Sequence, residues 1–177
     1  MIYFIRHGQT PYNKVGKLQG ILDIPLSAIG RKQAKVSAEK LKEYKIDIIY
    51  SSPLKRALKT AQTINKYHNV PIKITDALIE FDVGKKLEKK YLKDLPEDFF
   101  EKVYDNANNY GQEDVKSFRK RLKDFLLSLD QDKNILLVSH GGVYTQIEYF
   151  ISGKIMKAEI ENCTPVKINI EGINNDR

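Results

Sequence analysis

The sequence predicts an α/β fold, a three-layer sandwich with a mostly parallel central sheet flanked by helices, and three observations lead there. Short apolar, β-branched runs at residues 2–5, 46–50, 70–74 and 135–138 alternate with segments of helical length and spacing. Connections of that length join parallel strands, whereas hairpins need only a few residues. Two of the runs end directly in a histidine, at Arg6-His7-Gly8 and at Ser139-His140-Gly141-Gly142. In open parallel sheets ligands bind beyond the strands' carboxyl ends.

Residues 2–5 are apolar, β-branched or aromatic and read as a buried strand that stops at Arg6. Gly16, Gly20, Asp23, Pro25 and Gly30 mark the next stretch as loop, and residues 31–44 then carry helical spacing through Ala34, Ala38 and Leu41. After the strand at 46–50, Ser51-Ser52-Pro53 offers a cap and a first-turn proline for a helix over 54–67. The third strand, 70–74, precedes Glu80. Helical patterns over 91–104 and 113–129 flank a loop at 106–111. The strand at 135–138 leads into a helix running through Phe150, and 165–170 forms an edge strand, since proline is tolerated at a strand's beginning. With 177 residues, 41% of them hydrophobic, the chain fits one domain spanning 1–177 with a small helical cap inserted at about 85–112.

The net charge of +7 favours anionic partners. The basic clusters Lys85-Lys86, Lys89-Lys90 and Arg119 to Lys123 are interrupted by acidic or apolar residues, which fits solvated faces and not a nucleic-acid arm. No apolar run approaches the ~20 residues that cross a bilayer, and the apolar start is too short for a signal-peptide core. A single cysteine, Cys163, sits in an apolar segment and reads as a buried structural thiol without disulfide or metal partners. Together these features predict a cytoplasmic protein without nucleic-acid or membrane partners. An interface patch and a core face read alike in one chain, so no oligomeric state is assigned.

Two histidines and an arginine at strand ends, with Arg56 in the helix after Ser51-Ser52-Pro53, make a cationic basin. A phosphate monoester is dianionic near neutral pH; it repels an anionic nucleophile but admits neutral imidazole. Arginine supplies paired planar donors to phosphoryl oxygens in ground and transition state. An alkoxide leaves poorly without a proton, and Glu80, an acid set between Ile79 and Phe81, is the candidate donor. Taken alone, Glu80 reads equally as a cap or salt-bridging carboxylate, and His140 as a structural histidine.

These residues closely resemble the histidine phosphatase superfamily, also called the cofactor-dependent phosphoglycerate mutase-like family. Arg6-His7-Gly8-Gln9-Thr10 matches its hallmark, Asn13 and Gln19-Gly20 follow at family-like spacing, and Asp23-Ile24-Pro25-Leu26-Ser27 leads to Gly30. Ser51-Ser52-Pro53-Leu54-Lys55-Arg56-Ala57 and Val138-Ser139-His140-Gly141-Gly142 match the later signatures. The resemblance implies that His7 attacks phosphorus and becomes phosphohistidine, that Arg6, Arg56 and His140 bind phosphoryl oxygens, and that Glu80 is the general acid and base. Asn13, Gln19, Gly20 and Gly141 become candidate phosphate or substrate contacts, with Asn13 equally readable as a turn residue. It implies no metal and no cofactor, and a small phosphorylated metabolite as partner.

Many relatives continue past the acid into a tryptophan-glutamate-glycine stretch. This chain reads Gly84-Lys85-Lys86-Leu87-Glu88-Lys89 and contains no tryptophan. Substrate identity therefore does not transfer, although Gly111-Gln112-Glu113 resembles a later family segment. Short length and Gly141-Gly142 favour a phosphomonoester phosphatase, possible kinds including α-ribazole phosphatase-like and broad-specificity enzymes. The alternatives are a cofactor-dependent phosphoglycerate mutase and a non-catalytic phospho-ligand-binding module.

Overall fold

The computed structural model describes residues 1–105, 110–154 and 160–173. Five strands, β1 (Ile2–Arg6), β2 (Ile48–Ser51), β3 (Ile72–Ile74), β4 (Ile135–Ser139) and β5 (Pro165–Ile168), form one sheet in the order β3-β2-β4-β1-β5. All neighbours are parallel except β1 and β5. The register is what positions the site. Arg6 lies opposite Ser139, and Ser51 lies opposite Val138. The three strand ends that carry Arg6-His7, Ser139-His140 and Ser51-Ser52 therefore emerge together at one carboxyl edge.

The helices α2 (Ala28–Leu41) and α3 (Lys55–His68) cover one face; α5 (Val115–Leu127) and α6 (Gly141–Ser152) cover the other. Period-two alternation divides the strands between the two layers. Leu136 and Val138 join Ile5, Ile49, Ala34, Ala38, Ala57 and Ala61 in one core, whereas Ile135 and Leu137 join Phe4, Phe118, Leu122, Val143 and Ile147 in the other. Every residue of β4 is buried, as expected of a strand covered on both sides. Small residues on α2 and α3 let these two helices approach each other closely, with Ala34, Ala57 and Ala61 fully buried.

The short helix α1 (Pro11–Lys14) interrupts the stretch read as loop. Thr10 and Asn13 form a reciprocal capping box, and Pro11 opens the first turn. The cap read into Ser51-Ser52-Pro53 is corrected. Leu54 occupies the N-cap with no side-chain hydrogen bond, while the Lys55 N–H donates to Asp23 Oδ1 at 2.7 Å, so a carboxylate from a distant loop supplies the acceptor. The single helix expected over 91–104 is also corrected. Pro96 holds Leu95 extended at ψ 150° and splits the segment into a 3₁₀ turn, Leu92–Asp94, and the helix α4 (Phe99–Tyr104). The loop expected over 106–111 falls at 106–109 outside the described residues.

Candidate active site

His7 leaves β1 into a tight passage. A Cβ on Gly8 would lie 2.5 Å from the Gly30 carbonyl oxygen, so only glycine lets the chain turn there against α2. The Gly8 N–H donates to Thr60 Oγ1 at 3.1 Å, which ties the turn to α3. Within it, His7 Nδ1 donates to the Gly8 carbonyl at 2.7 Å. That bond fixes the tautomer, placing the proton on Nδ1 and the lone pair on Nε2. Burial, with the positive charges of Arg56 and Arg6 beside it, holds the His7 pKa well below its usual 6.5. The ring is a neutral imidazole whose Nε2 keeps its lone pair.

Arg56, buried in the first turn of α3, is the hub. Its Nε–H is shared between His7 Nε2 and His140 Nδ1, each at 3.2 Å. Its Nη1 and Nη2 donate to the carbonyls of Leu22 at 2.5 Å and Gly20 at 2.8 Å. These carbonyls orient the guanidinium without neutralising it, and burial lowers its pKa to about 10. Arg6 donates from Nη1 to the Ile160 carbonyl at 3.0 Å, while its buried Nε–H has no protein partner. Among the described residues neither arginine pairs with a carboxylate. Two uncompensated guanidiniums beside a vacant N–H donor make a site for a dianion.

Arg6, His7 and Arg56 share a cavity of about 350 Å³ with Glu80, Asn13, Gln19, Gly20 and Gly141. Eight of the nine residues singled out in the sequence thus converge on one space. His140 is the exception. It is fully buried behind Arg56, outside the lining, and both ring nitrogens are engaged: Nδ1 accepts from Arg56 and Nε2 donates to Ser52 Oγ at 2.8 Å. In this arrangement His140 positions the arginine. Asn13 is both turn residue and cavity residue, since its Oδ1 accepts from the Thr10 N–H at 3.0 Å and the residue also lines the cavity. Gln19 is held through Oε1 by the Thr10 hydroxyl at 2.8 Å.

Glu80 follows the 3₁₀ turn Asp76–Leu78. Its Oε1 accepts from the Phe81 N–H at 2.9 Å, and its Oε2 accepts from the Gly142 N–H, in the first turn of α6, at 3.2 Å. Arg121 of α5 donates to the carbonyls of Asp76, Ala77 and Ile79. Glu113 takes the Asp82 N–H at 2.9 Å and pairs with Arg121 at 3.1 Å. The carboxylate at position 80 is thereby braced on both flanks.

Sequence reasoning missed several participants. Asn162 lines the cavity and donates from Nδ2 to the His7 carbonyl at 2.7 Å. Tyr104 of α4 brings a buried phenol to the acid, and burial together with Glu80 raises its pKa well above 10, so it remains a donor. Lys17 lines the cavity, whereas Lys85, Lys86, Lys89 and Lys90 do not. Asn162 and Tyr104 stand outside any local motif, and only tertiary folding brings them to the site. Ser52 lies inside a matched motif and Thr60 just beyond it, but their roles depend on partners about 50 or more residues away.

The profile of the histidine phosphatase superfamily (branch 1) matches residues 2–173. The uncharacterized phosphatase PhoE of Bacillus subtilis is 36% identical over 86% of this chain and 77% of its own length. A metal-independent phosphoserine phosphatase of Arabidopsis thaliana is 33% identical over 90% and 74%. Among solved structures, the phosphoserine phosphatase of Entamoeba histolytica in complex with 3-phosphoglyceric acid superposes with a TM-score of 0.76 at 30% identity, covering 93% of this chain and 87% of that one. A profile match from the first strand to residue 173, over a site of this geometry, shows that the chain belongs to the histidine phosphatase superfamily, branch 1.

Proposed function

We propose that this protein is a phosphoric monoester hydrolase that works through a phosphohistidine on His7, without a metal. The observation that carries the reading is the fixed tautomer of His7: its Nε2 keeps the lone pair, accepts from Arg56, and His7 lines the same cavity as Arg6, Arg56 and Glu80. In the first half-reaction Nε2 attacks phosphorus and the bond to the leaving oxygen breaks. Glu80, entering protonated, gives its proton to that oxygen, so an alcohol departs. In the second, the Glu80 carboxylate takes a proton from water as the water oxygen displaces His7, which releases phosphate and restores the acid. Arg6 and Arg56 supply the positive charge that stabilises the spread charge of the transition state. The shared N–H of Arg56 has a spare acceptor in His140, so the guanidinium stays in place when the His7 lone pair is used to bind phosphorus.

The substrates are small phosphorylated metabolites of the cytoplasm, in keeping with the phosphoserine phosphatases among the relatives. Among the described residues no helix is long and apolar enough to cross a membrane. The test is a panel of phosphomonoesters turned over with chelator present, scoring phosphate release and isomerisation of 3-phosphoglycerate in parallel. Phosphate release is expected, with acid-labile phosphate trapped on His7 in wild type and absent in His7→Ala. Activity abolished by the chelator, or a turnover that never phosphorylates residue 7, sinks the proposal; isomerisation exceeding hydrolysis assigns a mutase instead.

A further inference from the structure

The last residue of α4, Tyr104, lines the cavity, and several contacts fix it there. Its ring meets Phe81 edge-on at 5.2 Å between centroids and stacks on Phe100 at 6.5 Å. Behind it, Arg119 Nη2 donates to the Tyr104 carbonyl at 3.2 Å; that arginine is itself held by Gln146 Oε1 at 2.8 Å and lies 4.1 Å from the centre of the Tyr149 ring. The residue is 4% exposed, yet its hydroxyl makes no hydrogen bond to another described residue. A buried phenol is costly unless something in the cavity takes up that hydroxyl. The position a Cβ on Gly142 would take lies 2.7 Å from the hydroxyl and closer still to Glu80 Oε1, so the two oxygens converge at the start of α6. Each Glu80 oxygen receives one backbone N–H, which leaves each with a lone pair to spare.

We propose that the Tyr104 hydroxyl, converging with Glu80 Oε1 in the cavity, holds the water that opens the phosphohistidine. This rests on the hydrolase reading above and assigns a further residue to its second step. The water oxygen accepts from the phenol, gives one proton to the Glu80 carboxylate and bonds to phosphorus through its other lone pair. The bond from phosphorus to His7 Nε2 breaks and its electron pair returns to the nitrogen; Tyr104 leaves the step unchanged. The phenol matters more here than in the first step. A leaving oxygen is tethered to a phosphoryl group that two guanidiniums hold, whereas water enters untethered and needs a second fixed partner to orient it. Phe81 and Phe100, the rings that hold the phenol, offer water no hydrogen bond of their own.

Single-turnover rapid quench, with enzyme in excess over 4-nitrophenyl phosphate, reads both steps from one time course as the rise and the decay of phosphohistidine. Tyr104→Phe keeps the ring and removes the oxygen. We expect the rise to stay within about twofold of wild type and the decay to slow about tenfold, the size of one hydrogen bond lost from a transition state. Phosphohistidine then reaches a higher peak. The urea midpoint should not fall, because the hydroxyl carries no hydrogen bond among the described residues. A decay unchanged from wild type overturns the proposal. Equal slowing of both phases does too, with or without a lowered midpoint, since that marks a support for the Glu80 segment. So does a slower rise on an alkyl ester with normal decay, which would give the hydroxyl to the leaving group. If wild type never forms phosphohistidine, the hydrolase reading falls and this step with it, an outcome distinct from the other three.

Discussion

At the scale of single residues the site depends on positions where an added atom has no room. A Cβ on Gly142 would lie 2.4 Å from Glu80 Oε1 and 2.7 Å from the Tyr104 hydroxyl. Gly142→Ala therefore pushes the carboxyl group off the line between His7 and the leaving oxygen. The expected result is a fall in kcat of about 10²-fold on alkyl phosphates, with a much smaller loss on 4-nitrophenyl phosphate, whose leaving group needs no proton. Equal losses on both would show that the substitution disturbs phosphate binding and not proton donation. The strand-end motifs made Arg6, His7, Arg56 and Glu80 legible in the sequence, because each sits at a fixed offset from an apolar run. His140 was legible in the sequence from its motif, but its contacts with Ser52 and Arg56 were not. Which neighbours hold the two nitrogens of a buried imidazole is decided by tertiary packing, here by Ser52 and Arg56.

At the scale of elements, the acid-bearing segment owes its shape to a helix on the far side of it. Arg121 spends one nitrogen on three backbone carbonyls and the other on Glu113, which in turn receives the Asp82 N–H. Arg121→Met keeps most of the packing against Phe118, over whose ring the guanidinium lies at 4.6 Å, and removes the donors. Urea denaturation should show a loss of about 2 kcal/mol, the size expected when part-buried acceptors lose a charged partner. Turnover of alkyl phosphates should fall more than that of aryl phosphates; a variant with unchanged stability and an unchanged alkyl-to-aryl ratio would remove the brace from the account. The main elements were legible because β4 is a continuous apolar run and α3 and α5 carry clean helical periodicity. The segment before Glu113 was not, since helical spacing over 91–104 outweighed Pro96 in the sequence reading, whereas backbone sterics decide in the fold.

At the scale of the whole molecule, burying two imidazoles beside arginine couples folding to protons. Both histidines have pKa values held well below the usual 6.5, by burial first and by Arg56 next. A depressed folded pKa contributes stability that is complete above 6.5 and is lost as pH falls, because the unfolded chain then gains protons that the native one refuses. Each site contributes a slope of up to about 1.4 kcal/mol per pH unit in that range. Urea midpoints should decline steadily from pH 7 to 5, and His140→Asn should make the decline shallower; a flat profile would mean the histidines are protonated in the fold. The edge pairing of β5 on β1 has a consequence of another kind. Asn162 and the Cys163 N–H close on the carbonyls of His7 and Arg6, across a separation of 155 residues for the first of these bonds. The motif that carries the nucleophile thus takes a hydrogen bond from a segment far downstream in the chain. A polypeptide truncated before Asn162 would hold every hallmark motif yet lack the latch on His7.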